Sequence, residues 1–479
     1  MYLLTKFEGF TLLITFGLAM ITLVLATVSK EKLSSNAFLV ANRNVSLLQG
    51  SLSIAVAWIW APAIFICSMQ AYQNGLAGIF WFTFPNVLCF FLYAPLAVKL
   101  RKKLPEGFTF PEYIAQRFNG CKYAHLAFLV VALGYQLGAI IINALAGGTL
   151  LHAVSGVSIN LAIICIACLA LSYSLVSGLK ASILTDVVQM LMVLGICFTL
   201  VPLCLFNSGG LSLTLSGLGG INDHGKSIFD PWLAFSMGIP MTLSLLAGPL
   251  SDQMFWQRAM AVRKDQVYKT FIYGGLLFGI VPILLSTFGF IAVPLVKAGL
   301  LKLNDPQLVG PTVIGYLLPK SALYLFCIMA FAGLCSTMDS ACCAASSLGS
   351  IDIYKRYFNP AANDQKLLTA SRLFMLALTT LGTSIALLQP KLMWVFLSYG
   401  ALASAGMFPT FFAIYSRRIS EKAIALAIAS SVLIGTPFSI YANVTENPYY
   451  IVAAAMLSVL IGLCICTYAH FQAKAGSDN

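Results

Sequence analysis

The chain has 479 residues, of which 59% are hydrophobic and only 9% are charged. This composition excludes a soluble globular domain, because the chain is filled with stretches of about 20 mostly apolar residues, the length of a bilayer-spanning helix. The net charge of +12 is typical of nucleic-acid-binding proteins, but the basic residues lie in the connections between apolar stretches. We therefore expect a lipid bilayer, and no nucleic acid, as a partner.

About thirteen apolar stretches predict an all-α membrane protein that forms one integral domain over residues 1–479. If the N-terminus is outside and the helices alternate, 22 of the 28 basic residues lie on the inner side, as the positive-inside rule requires. This predicts a multi-pass plasma-membrane protein, in a bacterium the inner membrane, with a cytoplasmic C-terminus. The predicted spans 1 to 13 are approximately 7–29, 50–73, 78–99, 124–151, 157–177, 181–206, 231–253, 271–296, 321–348, 367–389, 392–416, 422–441 and 449–471.

Helix breakers interrupt spans 2 and 7. Span 2 has Pro62 in its middle, just after Trp58 and Trp60. Proline removes a backbone hydrogen bond, and in a membrane the freed carbonyl groups need another partner, a bound ion among them. The alternative for this segment is an ordinary proline kink. Span 7 has two candidate breaks, at 238–240 and at Gly248 with the proline after it.

The two interrupted spans lie five spans apart, which favours a transporter built from inverted repeats with a site at mid-membrane. An odd number of helices per repeat inserts the two halves in opposite orientations. We expect core repeats over about 50–206 and 231–416, a 5+5 arrangement with broken helices 2 and 7. The peripheral helices are expected at about 7–29, 422–441 and 449–471.

Polar residues within the apolar spans are the candidates for binding. An ionisable side chain in hydrocarbon costs about 2.5–3.5 kcal/mol and so needs a partner. In span 9 one carboxyl lies among hydroxyls, which suit a hard cation; the alternative is that the hydroxyls bond carbonyls of their own helix. In span 6, Asp186 has as its alternative an interfacial salt bridge to Lys180. The span 9 cluster is Ser336, Thr337, Asp339 and Ser340.

The chain resembles the sodium:solute symporter family over roughly residues 30–420. The resemblance rests on three motifs read together: 178–189 (GLKASILTDVVQ), 257–259 (QRA) and 336–340 (STMDS) followed by 352–354 (DIY). It implies a leucine-transporter-like fold and alternating access driven by sodium. The resemblance also implies which residues bind sodium. When the family's sodium ligands are mapped onto this sequence, they are the hydroxyls of Ser336 and Thr337 and the backbone carbonyls of Val56, Ile59 and Gly333.

The resemblance also implies a second position for Na⁺, known in a subgroup related to sialic-acid carriers. Its ligands map to Asp186, Ser336, Asp339 and Ser340, all with oxygen-bearing side chains. One sodium ion is expected at the first position, and the second position is a further candidate. Asp186 also matches an acidic residue that lines the family's inner sodium exit.

The expected solute is small and polar. Residues 57–61 (AWIWA), 72–75 (YQNG) and 80–81 (FW) resemble the urea-transporter branch of the family; the alternative is aromatic packing in a membrane core. The solute is expected at the breaks of spans 2 and 7, with spans 4 and 11 lining the cavity. The candidate contacts are Trp58, Trp60, Gln136, Asn143, Gly248, Asp252, Gln253 and Tyr399.

The sequence therefore predicts sodium-coupled secondary active symport of a urea-like or other small organic solute, and no enzymatic activity. Two alternatives come from other classes. One is the membrane sensor of a signalling system, against which the lack of a soluble domain after Ala473 argues. The other is a passive channel, which would not accumulate solute against its gradient.

Overall fold

The computed structural model describes residues 3–28, 33–60, 62–120 and 122–475, and every regular element within these ranges is a helix. Twelve of the described helices are long and apolar enough to cross a membrane. One of them, Ala63–Lys103, counts as two spans, because the chain turns at Gly75, where the backbone takes φ 58° and ψ −144°. The predicted all-α fold with thirteen spans is confirmed.

The helix bounds follow the predicted spans closely. Span 1 is Lys6–Val28, and the predicted residue 29 lies outside the described residues. Span 2 is Leu47–Ala57 with Pro62–Ile66, and the helix Cys67–Lys103 holds the end of span 2 and all of span 3. Spans 4 to 6 and 8 to 11 are Tyr123–Ser155, Ile159–Ser177, Leu179–Asn207, Val267–Lys297, Lys320–Ser347 continued by Leu348–Phe358, Asp364–Leu387 and Leu392–Tyr415. Span 12 is Glu421–Thr445, span 13 is Pro448–Ala475, and span 7 is described below.

Short helices lie in the connections. Their bounds are Ser35–Val40 and Ala41–Arg43 before span 2, Phe110–Arg117 before span 4, Leu211–Ser216 before span 7, and Pro306–Leu308 and Val309–Leu317 before span 9.

Span 2 breaks where the sequence predicts. Its first helix ends at Ala57, and helical structure begins again at Pro62, while Ala61 lies outside the described residues. Proline has no backbone N–H, and it disfavours helical geometry in the residue before it. The segment between the two helices therefore leaves backbone carbonyl groups without helical partners in the middle of the protein.

Span 7 breaks three residues later than the second predicted position. A helix runs through Gly248 and its neighbouring proline from Ile239 to Ser251, and the chain is extended only at Asp252, with φ −93° and ψ 111°. A new helix, Gln253–Ala261, follows at once. The Asp252 carboxylate caps it by accepting a hydrogen bond of 2.7 Å from the backbone N–H of Met254.

The first predicted break of span 7 is wrong. Residues Ala234–Gly238 form a wider π-helical turn, and Pro240 lies in the first turn of the next helix. A proline costs little there, because the first N–H groups of a helix have no partner within it. Gly238 is needed for packing: a Cβ at this position would lie 2.7 Å from the Trp81 ring of span 3.

The two breaks lie side by side in the core. The Trp58 ring at the break of span 2 packs edge-on against Phe255, with ring centroids 4.9 Å apart. Phe255 lies about one helical turn after the break of span 7. Span 1 packs outside spans 5, 6 and 9, and spans 12 and 13 pack against span 11. This arrangement agrees with a core of two inverted repeats and three peripheral helices; the exact bounds of the repeats stay a prediction.

Candidate ion and solute sites

Span 9 carries its polar cluster through the centre of the molecule. The side chains of Ser336, Thr337, Asp339 and Ser340 are all fully buried. Span 9 reaches the break of span 2 through Gly333, where an added Cβ would lie 2.8 Å from the backbone carbonyl oxygen of Ile59. Small residues allow this close approach of two membrane helices. Span 9 therefore meets the backbone at the break of span 2 through Gly333 and the hydroxyl of Thr337.

Thr337 makes the contact between these two segments. Its Oγ1 lies 3.2 Å from the carbonyl oxygen of Ala57 and 3.2 Å from that of Gly333. The carbonyl of Val56, a predicted sodium ligand, instead accepts a hydrogen bond of 2.9 Å from the backbone N–H of Ile59. The structure thus adds Ala57 to the predicted set of oxygens, while the roles of Val56 and Ile59 as sodium ligands stay predictions.

Ser336 faces away from this contact and towards span 6. Its hydroxyl donates to Oδ1 of Asp186, and the hydroxyl of Ser53 donates to Oδ2 at 2.5 Å. The Asp186 carboxylate is fully buried. The alternative of an interfacial salt bridge to Lys180 is therefore disfavoured, since the ion-pair partner of Asp186 is a buried arginine.

That arginine is Arg258, which lies among the oxygens predicted to hold a second cation. Its Nη2 donates to Oδ2 of Asp186 at 2.8 Å and to Oγ of Ser340 at 2.6 Å. Its Nε donates to Oγ of Ser53 at 2.9 Å, and Nη1 lies 3.4 Å from the carbonyl oxygen of Met254. The side chain is 1% exposed. The guanidinium thus supplies positive charge where the sequence predicts a metal ion.

Asp339, three residues after Ser336, belongs to the same cluster and faces spans 5 and 6. Its Oδ2 accepts a hydrogen bond of 2.7 Å from the hydroxyl of Tyr173, and its Oδ1 accepts one of 2.6 Å from Ser182. Ser340 lies between the two acidic groups, 3.3 Å from Oδ1 of Asp339. With both carboxylates ionised, the cluster has one negative charge in excess, because Arg258 balances only one of them. A buried excess charge is costly unless a cation or a proton neutralises it.

A small cavity of about 40 Å³ lies beside the two breaks. Its wall is largely aromatic: the rings of Trp58 and Trp60 stand at 90° to one another with centroids 5.4 Å apart. Trp60 also meets Tyr399 at 5.2 Å, and Tyr399 lies 4.0 Å from Tyr135. The hydroxyl of Tyr399 has no hydrogen-bond partner within the described structure. Flat rings with a free hydroxyl suit a small planar solute that accepts a hydrogen bond.

Asn86 of span 3 fixes one wall of this cavity. Its Oδ1 accepts a hydrogen bond of 2.8 Å from Nε1 of Trp58, and its Nδ2 donates to the carbonyl oxygen of Phe82 at 2.7 Å. Both side chains are buried and line the cavity. The amide therefore holds the indole in one orientation.

Six of the eight predicted solute contacts lie in or next to the cavity. Trp58, Trp60 and Tyr399 line the cavity. Gly248 lies directly behind it, since a Cβ there would be 2.8 Å from the Trp58 ring and 3.0 Å from the Tyr135 hydroxyl. Gln136, the neighbour of Tyr135 in the chain, donates to Asp252 at 3.1 Å.

The remaining two predicted contacts lie elsewhere in the fold. Asn143 donates to the carbonyl oxygen of Ala139 in its own helix at 2.8 Å. Gln253 joins the connection before span 4, because its Oε1 accepts from the backbone N–H of Phe110 and its Nε2 donates to the carbonyl oxygen of Phe108. Neither lines the cavity, and their contact with solute stays a prediction.

Comparison with known proteins identifies the family. A family model described as the sodium:solute symporter family matches residues 38–435. The chain belongs to the sodium:solute symporter family. This confirms the resemblance read from the sequence motifs, and it supports solute symport as the general activity. The relatives described below are transporters, which supports a non-enzymatic role at the level of the family.

Several relatives of this chain have urea in their names. Urea-proton symporter DUR3 of Oryza sativa subsp. japonica is 26% identical over 449 residues, which cover 85% of this chain and 61% of the rice protein. Probable urea active transporter 1 of Schizosaccharomyces pombe is 23% identical, with 90% of this chain and 70% of that protein covered. This chain thus spans less than two thirds of the length of the rice relative.

Solved structures share the fold. A Na⁺-coupled sialic acid symporter in its substrate-bound outward-open state matches with a TM-score of 0.79 at 16% identity, covering 96% of this chain and 97% of that one. A nucleobase-cation-symport-1 family transporter, Mhp1, in a closed conformation matches with a TM-score of 0.54 at 12% identity, covering 91% and 95%. At these identities the likeness establishes the fold alone.

Sequence reasoning did not place four residues of the site in their roles. The sequence identifies Arg258 only as part of a family motif. A charged residue next to a broken membrane helix is nevertheless itself an indication of a functional site. Asn86 is a polar residue within an otherwise apolar stretch, and this pattern could have marked it. Tyr173 and Ser182 gave no comparable signal, because hydroxyl side chains in membrane helices commonly bond to their own backbone.

Proposed function

We propose that this symporter couples inward movement of sodium to uptake of a small, planar, neutral solute of the urea class. The observation that carries the proposal is the contact of Thr337 Oγ1 with the carbonyl oxygen of Ala57, 3.2 Å away at the break of span 2. A hydroxyl and a freed backbone carbonyl at the mid-membrane break are the hard oxygen ligands that a sodium ion requires.

Sodium would replace the hydrogen bond between these two oxygens and coordinate both of them. We assign the remaining ligands to the Ser336 hydroxyl and to the carbonyls of Val56, Ile59 and Gly333, as the family pattern implies. Ser336 would turn from Asp186 towards the ion. Binding would tie span 9 to the broken span 2 and so favour the outward-open state, because a ligand shifts an equilibrium towards the state that it binds better.

A second cation would compete with Arg258 for the same oxygens. The oxygens of Asp186, Ser336, Asp339 and Ser340 surround Arg258, whose guanidinium donates to two of those residues. We propose that this second position takes a cation only when Arg258 moves aside, and that Asp186 passes sodium towards the cytoplasmic side. We also propose that the C-terminus lies on that side and the N-terminus outside.

The solute is assigned to the aromatic cavity. Urea presents a flat face to the rings of Trp58, Trp60 and Tyr399 and a carbonyl oxygen to the free hydroxyl of Tyr399. Its N–H groups would find acceptors at the breaks of the two spans. The names of the relatives support this solute class, and the cavity's lack of a charged side chain among its lining residues favours a neutral molecule.

The energetics suit an active carrier. One charge that moves through 100 mV contributes about 2.3 kcal/mol, which corresponds to about a fifty-fold concentration ratio of solute. A second ion would square that ratio. The cluster described above performs no covalent chemistry, so its role is to couple the two gradients.

Uptake into vesicles tests the proposal. Purified protein in sealed vesicles should accumulate labelled urea above equilibrium with an inward sodium gradient, and not with potassium. Thr337→Ala and Ser336→Ala should raise the sodium concentration for half-maximal uptake about tenfold or more, as loss of 1.4 kcal/mol of binding requires. Ser350→Ala is the matched control, because its hydroxyl donates to the carbonyl of Ser346 in the same span and has no other partner among the described residues. Equal uptake in sodium and potassium, or uptake that stops at equilibrium, would reject the proposal.

A further inference from the structure

Asp252 is a buried carboxyl that the sodium site does not use. It lies at the break of span 7, where the backbone is extended, and its side chain is fully buried. Its Oδ1 accepts two hydrogen bonds, from the backbone N–H of Met254 at 2.7 Å and from Nε2 of Gln136 at 3.1 Å. Its Oδ2 has no hydrogen-bond partner within the described structure.

Among the described residues, no cation forms an ion pair with this carboxyl, whose hydrogen bonds come from Met254 and Gln136. The nearby guanidinium of Arg258 is committed to Asp186, Ser340 and Ser53. Burying an ionised carboxylate without a cation costs several kcal/mol, and the group normally avoids this cost by taking a proton.

The other titratable groups that face Asp252 are tyrosines. They come from three elements packed around the break: Tyr93 of span 3, Tyr135 of span 4 and Tyr399 of span 11. Three short helices pack against Gln253–Ala261, and two of them, Ser35–Val40 and Leu47–Ala57, contain no titratable side chain. The third, Ala41–Arg43, contains Arg43, which bonds instead to Asn36 and to the carbonyls of Glu106 and Gly107.

The amide partner of Asp252 also lacks a donor. Oε1 of Gln136 has no hydrogen-bond partner within the described structure, although the residue is fully buried. Asp252 and Gln136 therefore share one hydrogen bond, and each has one oxygen that accepts none in the described structure. A proton on Asp252 would remove the buried charge and supply one of the missing donors, whereas an ionised carboxylate leaves both needs unmet.

The other buried aspartates of the described structure are better satisfied. Both oxygens of Asp186 and both oxygens of Asp339 accept hydrogen bonds from side chains. Asp352 pairs with His125 at 3.0 Å. Asp252 alone among these four combines an unpartnered oxygen with the absence of an ionisable hydrogen-bond partner.

Asp252 also lies next to the solute cavity. Gly248, one helical turn earlier, touches the Trp58 ring, and Phe255, one turn later, packs against the same ring. Gln136 follows Tyr135, which lines the cavity. A movement that opens the cavity to either side of the membrane would therefore bring water close to the carboxyl.

We propose that Asp252 binds and releases one proton in each transport cycle, so that a proton accompanies the solute in addition to the cation at Thr337. This rests on the proposed symport. The O–H bond of the carboxyl forms with a proton from outside water when the cavity opens outwards, and it breaks when the cavity opens inwards and delivers the proton to inside water. No electrons are transferred, and the site is a proton site at the break of span 7.

Proton movement during uptake tests this inference. Vesicles that hold a pH-sensitive dye should acidify inside when labelled urea enters under a fixed sodium gradient, in a fixed ratio of protons to urea. Asp252→Asn should reduce that ratio to near zero at whatever rate of uptake remains, and Asp252→Glu should restore it. Asp265→Asn, which removes an exposed carboxyl from a loop, is the matched control and should keep the wild-type ratio.

A measurement on the wild type keeps the test decisive if Asp252→Asn does not transport. At a fixed sodium gradient, the reversal potential of urea-coupled current should shift with the pH gradient. No shift, or an unchanged proton ratio in Asp252→Asn, would overturn the inference. A proton-driven uptake that ignores sodium would instead reject the sodium proposal and leave the proton site standing, so the two failures are distinguishable.

Discussion

The carboxylate of Asp186 and the guanidinium of Arg258 form an ion pair with a nitrogen–oxygen distance of 2.8 Å, and neither side chain is more than 1% exposed. The pair joins span 6 to the second half of the broken span 7. Breaking a buried pair by removing one partner typically costs about 3–5 kcal/mol, because the other charge stays buried without compensation.

We expect Arg258→Met to lower the melting temperature of the purified protein in potassium. We also expect sodium to stabilise the variant more than it stabilises the wild type, because two carboxylates then face the vacated space. Thermal unfolding in matched sodium and potassium salts measures both effects. Arg263→Met is the control, since Arg263 is exposed and its side chain donates to Asn44 on the protein surface. Equal sodium stabilisation in variant and wild type would contradict this reading of the cluster.

Gly333 sets the distance between the hydroxyls of span 9 and the backbone of span 2. A methyl group there would lie 2.8 Å from the Ile59 carbonyl oxygen, a contact closer than real Cβ atoms make. We expect Gly333→Ala to push the two segments apart and to raise the sodium concentration for half-maximal uptake at least tenfold. Overpacking of this kind typically costs about 1–3 kcal/mol.

Gly195→Ala provides the matched control for this substitution. Gly195 is also a helical glycine, but an added Cβ there meets nothing within 4 Å. Alanine is favoured over glycine in a helix by about 0.5–1 kcal/mol, so this variant should be equally or more stable with unchanged sodium dependence. A Gly333→Ala protein with wild-type sodium dependence would show that the two segments do not share an ion.

Much of the fold is predictable from the sequence because the bilayer imposes simple rules. Apolar length gives the spans, and Pro62 gives the break of span 2, since proline removes a backbone donor wherever it stands. The prediction for span 7 places the break at its proline, whereas the chain breaks at the residue that caps the next helix. Asp252 is a good N-cap residue, and the helix that it caps begins with the next residue.

The candidate site is less predictable because its contacts join distant parts of the chain. Sequence spacing places Ser336 and Thr337 next to each other, but it does not say that one faces span 6 and the other span 2. Arg258 reaches oxygens that lie 72 to 205 positions away in the chain. Such contacts depend on how helices pack, and no local pattern encodes them.

Glu112 should give the protein a pH-dependent stability that lies outside the transport site. This half-buried residue is in the short helix Phe110–Arg117, and burial raises the pKa of its carboxyl above the ordinary value of 4.5, although a hydrogen bond from the backbone N–H of Phe108 opposes the shift. A raised pKa means that the folded protein binds more protons than the unfolded chain between the two pKa values. Stability from this group therefore falls as the pH rises through that interval.

We expect Glu112→Gln to remove this loss. The difference in melting temperature between variant and wild type should grow in favour of the variant from about pH 4.5 upwards and then become constant. Glu106→Gln is the control, because it removes a carboxyl of the same size whose side chain is 85% exposed. A constant difference at all pH values would mean that the carboxyl does not titrate differently in the folded state.

Asn86 should control solute affinity through Trp58. Replacing it with leucine keeps its size but leaves the buried indole N–H without an acceptor, a loss that costs about 1–3 kcal/mol. The indole would then turn to find another partner and change the shape of the cavity wall. We expect Asn86→Leu to raise the KM for urea about tenfold while the sodium dependence stays the same, because Thr337 contacts the backbone carbonyl of Ala57 and not the indole. Asn207→Leu is the control, since its side chain is exposed and bonds to the Leu203 carbonyl of its own helix. Uptake kinetics at saturating sodium measure the effect, and an unchanged KM for Asn86→Leu would remove Trp58 from the solute site.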